Sequence, residues 1–92
     1  MPTNQVEWTL RASDEAGHPR TIAIDIVPWL TVQVTRHHRY PGAWVVQAPP
    51  AIETIILAAI DLEDAKTEAL ALMRARLASA LALLNQADQR FP

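Results

Sequence analysis

The sequence predicts an α+β protein in which an antiparallel sheet is followed by one long helix. Apolar residues alternate with polar ones through the first half of the chain, and they recur at the helical period through the last third. Strands that precede a helix, rather than alternate with helices, are typical of this class. We expect one domain over residues 1–92, with three or four strands within roughly 4–60 and a helix over roughly 61–87 packed on one face of the sheet.

The strands are predicted from alternation and from turn-forming residues. Residues 6–10 alternate between apolar and polar side chains, and residues 13–19 (SDEAGHP) are rich in turn formers. Even-numbered aliphatic residues then run through residues 22–34, interrupted by Pro28, which cannot donate a ladder hydrogen bond. The run is therefore one bent strand or two short strands with a tight connection near the proline. Residues 44–48 continue the alternation, and we expect the even-numbered apolar residues to face the helix.

Residues 51–60 (AIETIILAAI) leave two interpretations open. Their apolar run fits a last strand buried on both faces, and it also fits an early start of the helix. The β-branched residues Ile52, Thr54, Ile55 and Ile56 favour the strand.

The helix is predicted from its cap and its apolar stripe. Asp61 is a suitable N-cap, and Asp64 places a negative charge in the first turn, where the helix dipole favours it. One stripe of apolar residues, about a third of the circumference wide, is predicted to cover the sheet. Its members are Leu62, Ala69, Leu70, Met73, Leu77, Ala80, Leu81 and Leu84.

Composition narrows the classes of function. Half of the residues are apolar, which fits one globular domain. Because the chain has only 92 residues, the core of a single copy is small and self-association would stabilise it. The absence of cysteine excludes disulfides and thiolate metal sites, and the net charge of -2 does not favour nucleic acid through bulk electrostatics. The sequence shows no signal-peptide pattern and no apolar run long enough to span a membrane, so we expect a cytoplasmic protein.

Motifs for catalysis or metal binding are absent from the sequence. His37 and His38 are neighbours whose side chains would point to opposite faces of a strand, and His18 lies in a different turn. Ser13 and Ser79 lack the flanking glycines and the spaced histidine of an activated nucleophile. We therefore expect a protein that is not an enzyme and that binds neither metal nor cofactor.

The helix offers one candidate protein interface. Ala71, Ala75, Ala78 and Ala82 are spaced like a heptad seam opposite the leucine stripe, which would let a second helix approach closely. Alanine is also the best helix former and often fills exposed positions, so the seam needs flanking apolar residues to bind. Leu72 and Leu83 lie on its flank and are the candidates for that contribution. Outside the helix, Trp29 beside Pro28 is a separate candidate contact, because exposed tryptophan commonly anchors an interface; a bend of the sheet at Pro28 would instead place it in the core.

A second candidate surface is the predicted hairpin tip at residues 36–40. Arg36, His37, His38, Arg39 and Tyr40 concentrate positive charge and one stacking side chain, which is suited to contacts with phosphates and bases. A charged hairpin end is more often simply solvated. Nucleic-acid binding through this tip is the alternative function.

The segments "GAWVVQAPPAIETI" and "DLEDAKTEALALMRARL" resemble the plan of small prophage and mobile-element proteins. They are also similar to the N-terminal domains of HicB-like antitoxins: a β-hairpin, a strand ending in proline, a further short strand and a helix with an acidic start. The resemblance covers roughly Arg36 to Leu77 and lacks the glycine-rich strand ends of those domains. It implies a sheet backed by one helix in a bacterial or phage setting, and it transfers no site residues.

These observations together predict a non-enzymatic protein that works by homo-oligomerisation or by binding another protein, with no role for a membrane.

Overall fold

Five strands and one long helix form the part of the chain that the structure describes. The structure is a computed structural model that describes residues 7–40, 42–50 and 52–90, with the backbone only at positions 89 and 90. The elements are β1 (Thr9–Ser13), β2 (Pro19–Val27), β3 (Leu30–Arg36), β4 (Trp44–Ala48), β5 (Ile52–Ile56) and α1 (Leu62–Arg90). The predicted α+β class is confirmed.

The strands form one antiparallel meander in the order β1-β2-β3-β4-β5. The sheet has five strands rather than three or four because residues 22–34 form two strands and not one. Val27 pairs with Leu30, so Pro28 and Trp29 make a two-residue connection between β2 and β3. Proline fits there because a turn position requires no ladder hydrogen bond from its nitrogen.

The ambiguous segment 51–60 contains a strand, as its β-branched residues favoured. Within it, β5 pairs with β4 through Val46 and Ile55 and through Ala48 and Ile52, with a register shift between these two pairs. Position 51 lies outside the described residues, as do positions 4–6 of the first predicted strand.

The core lies between the sheet and the first half of α1. The prediction that even-numbered apolar residues face the helix is confirmed for β2, β3, β4 and the start of β5. These buried residues are Ile22, Ile24, Leu30, Val32, Val34, Trp44, Val46, Ala48 and Ile52. One face of each of these strands packs on the helix and the other is directed away from it, although Ala23 of β2 and Val45 of β4 are buried as well.

The start of α1 is capped as predicted. The Asp64 amide donates a hydrogen bond of 2.8 Å to Oδ1 of Asp61, and the Ala65 amide donates to the Asp61 carbonyl at 3.0 Å. The negative charge of Asp61 beside it raises the pKa of the Asp64 carboxyl above its ordinary value. The helix therefore begins at a fixed point directly after the sheet.

Two further contacts hold the helix start against the sheet. The carboxylate of Glu68 accepts hydrogen bonds from the amides of Ala58 (3.0 Å) and Ala59 (2.9 Å) in the segment between β5 and α1. Nε1 of Trp44 donates to the Ile60 carbonyl at 2.9 Å. The first contact ties the second turn of α1 to the segment that follows β5, and the second ties that segment to β4.

The second half of α1 does not cover the sheet, and here the predicted stripe is wrong. Ala69 and Met73 are buried and Leu62 and Leu70 are partly buried against the core. Every residue from 74 to 88 is exposed, including four members of the predicted stripe. Those four are Leu77, Ala80, Leu81 and Leu84.

Candidate functional site

Simple dimensions explain why the helix leaves the sheet. A 29-residue helix is about 43 Å long. The longest strand, β2, has nine residues and is about 30 Å long, and five strands side by side span only about 20 Å. The helix is therefore longer than the sheet in either direction, and residues 74–88, about four turns, are exposed. We call residues 74–90 the distal half of α1.

The middle of the distal half, residues 77–84, is apolar although it is exposed. The exposed fractions are 41% for Leu77, 58% for Leu81, 64% for Leu83 and 66% for Leu84. No charged residue occurs between Leu77 and Leu84 (LASALALL). A helical segment that is apolar on most of its circumference is typical of a buried helix rather than a solvated one.

Three of the four exposed leucines, Leu77, Leu81 and Leu84, are part of a regular seam along one side of the helix, and Leu83 lies on another side. Its positions are separated alternately by four and three residues, which is the spacing of a two-helix coiled coil. The members of this leucine seam are Leu70, Arg74, Leu77, Leu81, Leu84 and Asp88. The seam begins on the part of the helix that packs on the core and runs out onto the distal half.

A shallow apolar groove lies where the helix passes the edge of β2. Its volume is about 330 Å³, and it is lined by Ile24, Ile26, Leu70, Met73, Arg74 and Leu77. Three of these residues, Leu70, Arg74 and Leu77, belong to the leucine seam. The groove and the seam therefore form one continuous surface.

The residues predicted as a protein interface are divided between different environments. Ala71, Ala75, Ala78 and Ala82 are exposed as expected, and Leu83 is exposed beside them. Leu72 is partly buried against the core, so much of its side chain already contacts the protein itself. Trp29 lies in the β2–β3 turn with 72% of its surface exposed.

The sequence analysis predicted that the sheet covers the leucines of this seam, and for the exposed ones that prediction is wrong. Leu77, Leu81 and Leu84 were recognised as one face with Leu70, but the face was assigned to the sheet. The signal that could have corrected this was length, because a helix of about 40 Å cannot be covered by strands of five to nine residues.

The hairpin tip is built around the His37 side chain. Nδ1 of His37 accepts hydrogen bonds from the amides of Arg39 (3.0 Å) and Tyr40 (3.2 Å). The His37 and His38 rings stack with centroids 5.2 Å apart and an angle of 11° between their planes. The expectation that the two side chains point to opposite faces is wrong, because β3 ends at Arg36 and the alternation of a strand does not extend to them.

Arg36 is held by contacts within the protein. Its Nη1 lies 3.6 Å from Oδ2 of Asp14, and its guanidinium lies over the Trp44 ring, 5.3 Å from the ring centroid. Backbone hydrogen bonds, above all from the His18 amide, hold the pKa of the Asp14 carboxyl below its ordinary value, and the Arg36 charge acts in the same direction. Arg36 therefore stabilises the sheet end, and its charge is partly compensated.

The tip borders two adjacent depressions of about 230 and 320 Å³. Arg20, Arg36, His37 and His38 line both of them. Asp14 contributes a carboxylate to the smaller one. The structure thus brings Arg20, which sequence reasoning missed, together with three of the predicted tip residues.

Within residues 7–40, 42–50 and 52–90, no group of three or more His, Asp or Glu side chains is placed to hold a metal ion. Over the same residues, the structure contains no helix that is both long and apolar enough to cross a membrane.

Comparison with known proteins gives no match to a family model, to a curated protein or to a solved structure. The resemblance to HicB-like and prophage proteins stays a prediction.

Proposed function

We propose that the protein functions by association with a second copy of itself through the distal half of α1. The observation that carries this proposal is the run of exposed leucines at 77, 81, 83 and 84 on a segment without charge. Leucine side chains in water lose the stabilisation that burial would provide, about 1.5–3 kcal/mol for each full burial. A second helix is the simplest cover for such a segment.

Helix energetics support the same proposal. Isolated helices shorter than about 12–15 residues are marginal in water, and most helical stability in proteins comes from packing of an apolar face. The proximal half of α1, Leu62–Met73, has such packing on the sheet, whereas the distal half has none within the chain's described residues. Pairing with a second copy would give the distal half the packing that keeps a helix formed.

The accessible surface and the radius of gyration both exceed the values expected for a compact monomer of this size. It exposes 6897 Å², whereas a compact monomer of 10.2 kDa exposes about 5,300 Å². The radius of gyration is 15.7 Å, compared with about 12 Å for a compact chain of this length. A standard interface buries about 800 Å² on each partner, which is well within the difference of about 1,600 Å².

Sedimentation equilibrium on the wild-type chain and on two matched variants tests the proposal. Leu81 and Leu10 are equally exposed at 58%, but Leu10 is on the edge strand β1. We expect a wild-type dimer at micromolar concentration, a dissociation constant raised roughly a hundredfold or more by Leu81→Lys, and little change with Leu10→Lys. A wild-type chain that stays monomeric at several hundred micromolar would refute self-association.

A second candidate function is nucleic-acid binding, favoured by the convergence of Arg20, Arg36, His37 and His38 on two adjacent depressions. Arg20→Glu together with Arg39→Glu tests it, because Arg36 also has a structural role. Binding of a labelled single-stranded oligonucleotide at low salt should weaken strongly in this variant. Affinity unchanged by the two substitutions would rule out this surface.

A further inference from the structure

We infer that the two copies pair through antiparallel helices centred on Leu81, so that Arg74 of each copy faces Asp88 of the partner subunit. This inference rests on the proposed self-association and adds to it the direction and register of the pair. It follows from the order of side chains along the leucine seam.

The charge order of the seam selects the direction. From the sheet outward, the exposed part of the seam reads Arg74, Leu77, Leu81, Leu84 and Asp88, with a cation at one end and an anion at the other. Antiparallel pairing places each cation opposite an anion. Parallel pairing in register would place Arg74 beside its own copy and Asp88 beside its own copy, with repulsion at both ends.

The same centre pairs all five positions of the exposed part of the seam. Arg74 and Asp88 are equally far from Leu81 along the chain, and Leu77 and Leu84 lie on either side of it at about half that distance. One register therefore aligns the charged pairs, the outer leucines and the central leucine at once. The alternate spacing of four and three residues fits side chains of one helix between those of the other at a crossing angle of about 20°.

The position of the sheet allows this pairing. At about 100° per residue, the seam lies about a quarter turn from the buried residues Ala69 and Met73. A second helix on the seam therefore runs beside the sheet and does not overlap it. Its last turn would end next to the groove formed by Ile24, Ile26 and Leu70, which gives that exposed apolar surface a cover.

The pair also separates the two sheets. The overlap of residues 74–88 spans about 22 Å, with one sheet at each end of it. A parallel pair would bring both sheets to the same end of the helices, where they would compete for space beside the groove.

Single cysteine substitutions test the direction, because the chain has no cysteine of its own. In an antiparallel pair, Leu81→Cys should form a disulfide with its own copy under mild oxidation. Leu77→Cys should not, because its two copies would be about 12 Å apart, beyond the Cα separation of about 7 Å that a disulfide allows. A mixture of Leu77→Cys and Leu84→Cys should give the mixed disulfide.

The outcomes separate this inference from the proposed function. If the chain dimerises but Leu77→Cys, Leu81→Cys and Leu84→Cys all form disulfides with their own copies, the pair is parallel and the inference is wrong while self-association stands. If the wild-type chain is monomeric by sedimentation, both fail. Ala75→Cys, on the alanine face, is the control for random collision, and its efficient cross-linking would move the interface away from the leucine seam.

Charge reversal provides an independent test of the register. Asp88→Arg and Arg74→Asp should each raise the dissociation constant on the order of tenfold, because each creates two like-charge contacts in an antiparallel dimer. The double variant should restore the wild-type value. Single variants that dimerise as tightly as the wild type would contradict the proposed pairing of Arg74 with Asp88.

Discussion

The two halves of α1 are both rich in alanine and leucine, but their environments are opposite. The proximal half, Leu62–Met73, buries Ala65, Ala69 and Met73 on the sheet. The distal half continues with alanine and leucine in the same helical period, and every residue of it from 74 to 88 is exposed. Helical periodicity thus shows that one face of a helix is apolar, but it does not show which element packs on that face.

Side-chain size distinguishes the two halves. The most completely buried residues of the proximal half are alanines, Ala65 and Ala69. Small residues allow the helix backbone to lie close to the strands, and the large core side chains come from the sheet. The distal half instead carries large leucines on its outer surface, as expected where one helix meets another helix and not a sheet.

The largest difference in the free energy of unfolding is predicted between a lysine placed on the proximal half and a lysine placed on the distal half. Ala69→Lys should lower the free energy of unfolding by roughly 3–5 kcal/mol, because it buries an unpaired charge. A loss of that size would remove most of the stability of a small domain. Ala82→Lys should change the free energy of unfolding by less than about 0.5 kcal/mol. Urea denaturation of both variants checks this, and a similar loss in both would mean that the distal half is also packed within the monomer.

Ala82→Lys also separates the two candidate faces of the helix. Ala82 lies on the alanine face, about a third of a turn from the leucine seam. The dimer should survive this substitution if the leucine seam is the interface. Dissociation of the dimer would instead support the alanine face of Ala71, Ala75, Ala78 and Ala82.

The next contrast is between two neighbouring apolar residues, Met73 and Leu77. Met73→Ala should cost about 2–4 kcal/mol of unfolding free energy, because it leaves a cavity in the core. Leu77→Ala should cost the monomer about 1 kcal/mol or less and should mainly weaken the dimer. Denaturation at two protein concentrations distinguishes these effects, since only loss of dimer stability depends on concentration. Equal and concentration-independent losses would contradict the division of the helix.

The sequence was sufficient for the sheet because each strand carries its own signal. Alternation identified the core faces of β2, β3 and β4, and Pro28 marked the turn between β2 and β3. The prediction failed where two elements had to be compared, since the extent of contact between α1 and the sheet depends on their relative lengths. A local pattern does not show how long one element is relative to another. The predicted lengths of the helix and the strands, however, can be compared with each other.

The hairpin tip could be predicted less completely for a different reason. The cluster Arg36–Tyr40 was visible in the sequence, but Arg20 and Asp14 reach the same place from β2 and from the β1–β2 turn. The ion pair of Arg36 with Asp14 joins residues that are distant in sequence and depends on the pairing of β2 with β3. Such a contact follows from the register of the sheet and not from any spacing along the chain.

The anchor of the helix start provides a prediction of intermediate size. Trp44→Phe removes the hydrogen bond to the Ile60 carbonyl and leaves a small void, so we expect a loss of about 1–2 kcal/mol of unfolding free energy. Trp29→Phe, in the exposed turn, is the matched control and should change it little. Thermal denaturation followed by circular dichroism checks both variants, and equal losses would show that the Trp44 hydrogen bond does not hold the helix in place.

The β1–β2 turn is exposed like the distal half of α1, but it is fixed by hydrogen bonds to a side chain within the turn. Oδ1 of Asp14 accepts from the amides of Ala16 and His18, both at 2.9 Å, at a turn where Gly17 adopts a positive φ of 86°. These bonds hold the pKa of Asp14 below the ordinary value of 3.8, with the His18 amide as the main cause.

The pH dependence of this turn is the smallest effect that we predict. Because the pKa of Asp14 is lowered by folding, its ionised carboxylate stabilises the folded chain above about pH 4, and that contribution is lost as the pH falls through the lowered pKa. Asp14→Asn should therefore be less stable than the wild type at pH 7, and the difference should shrink below pH 4. Glu15→Gln removes the same charge from the same turn and is the control. A difference between Asp14→Asn and the wild type that persists undiminished at low pH would show that the ionised carboxylate is not what fixes the turn.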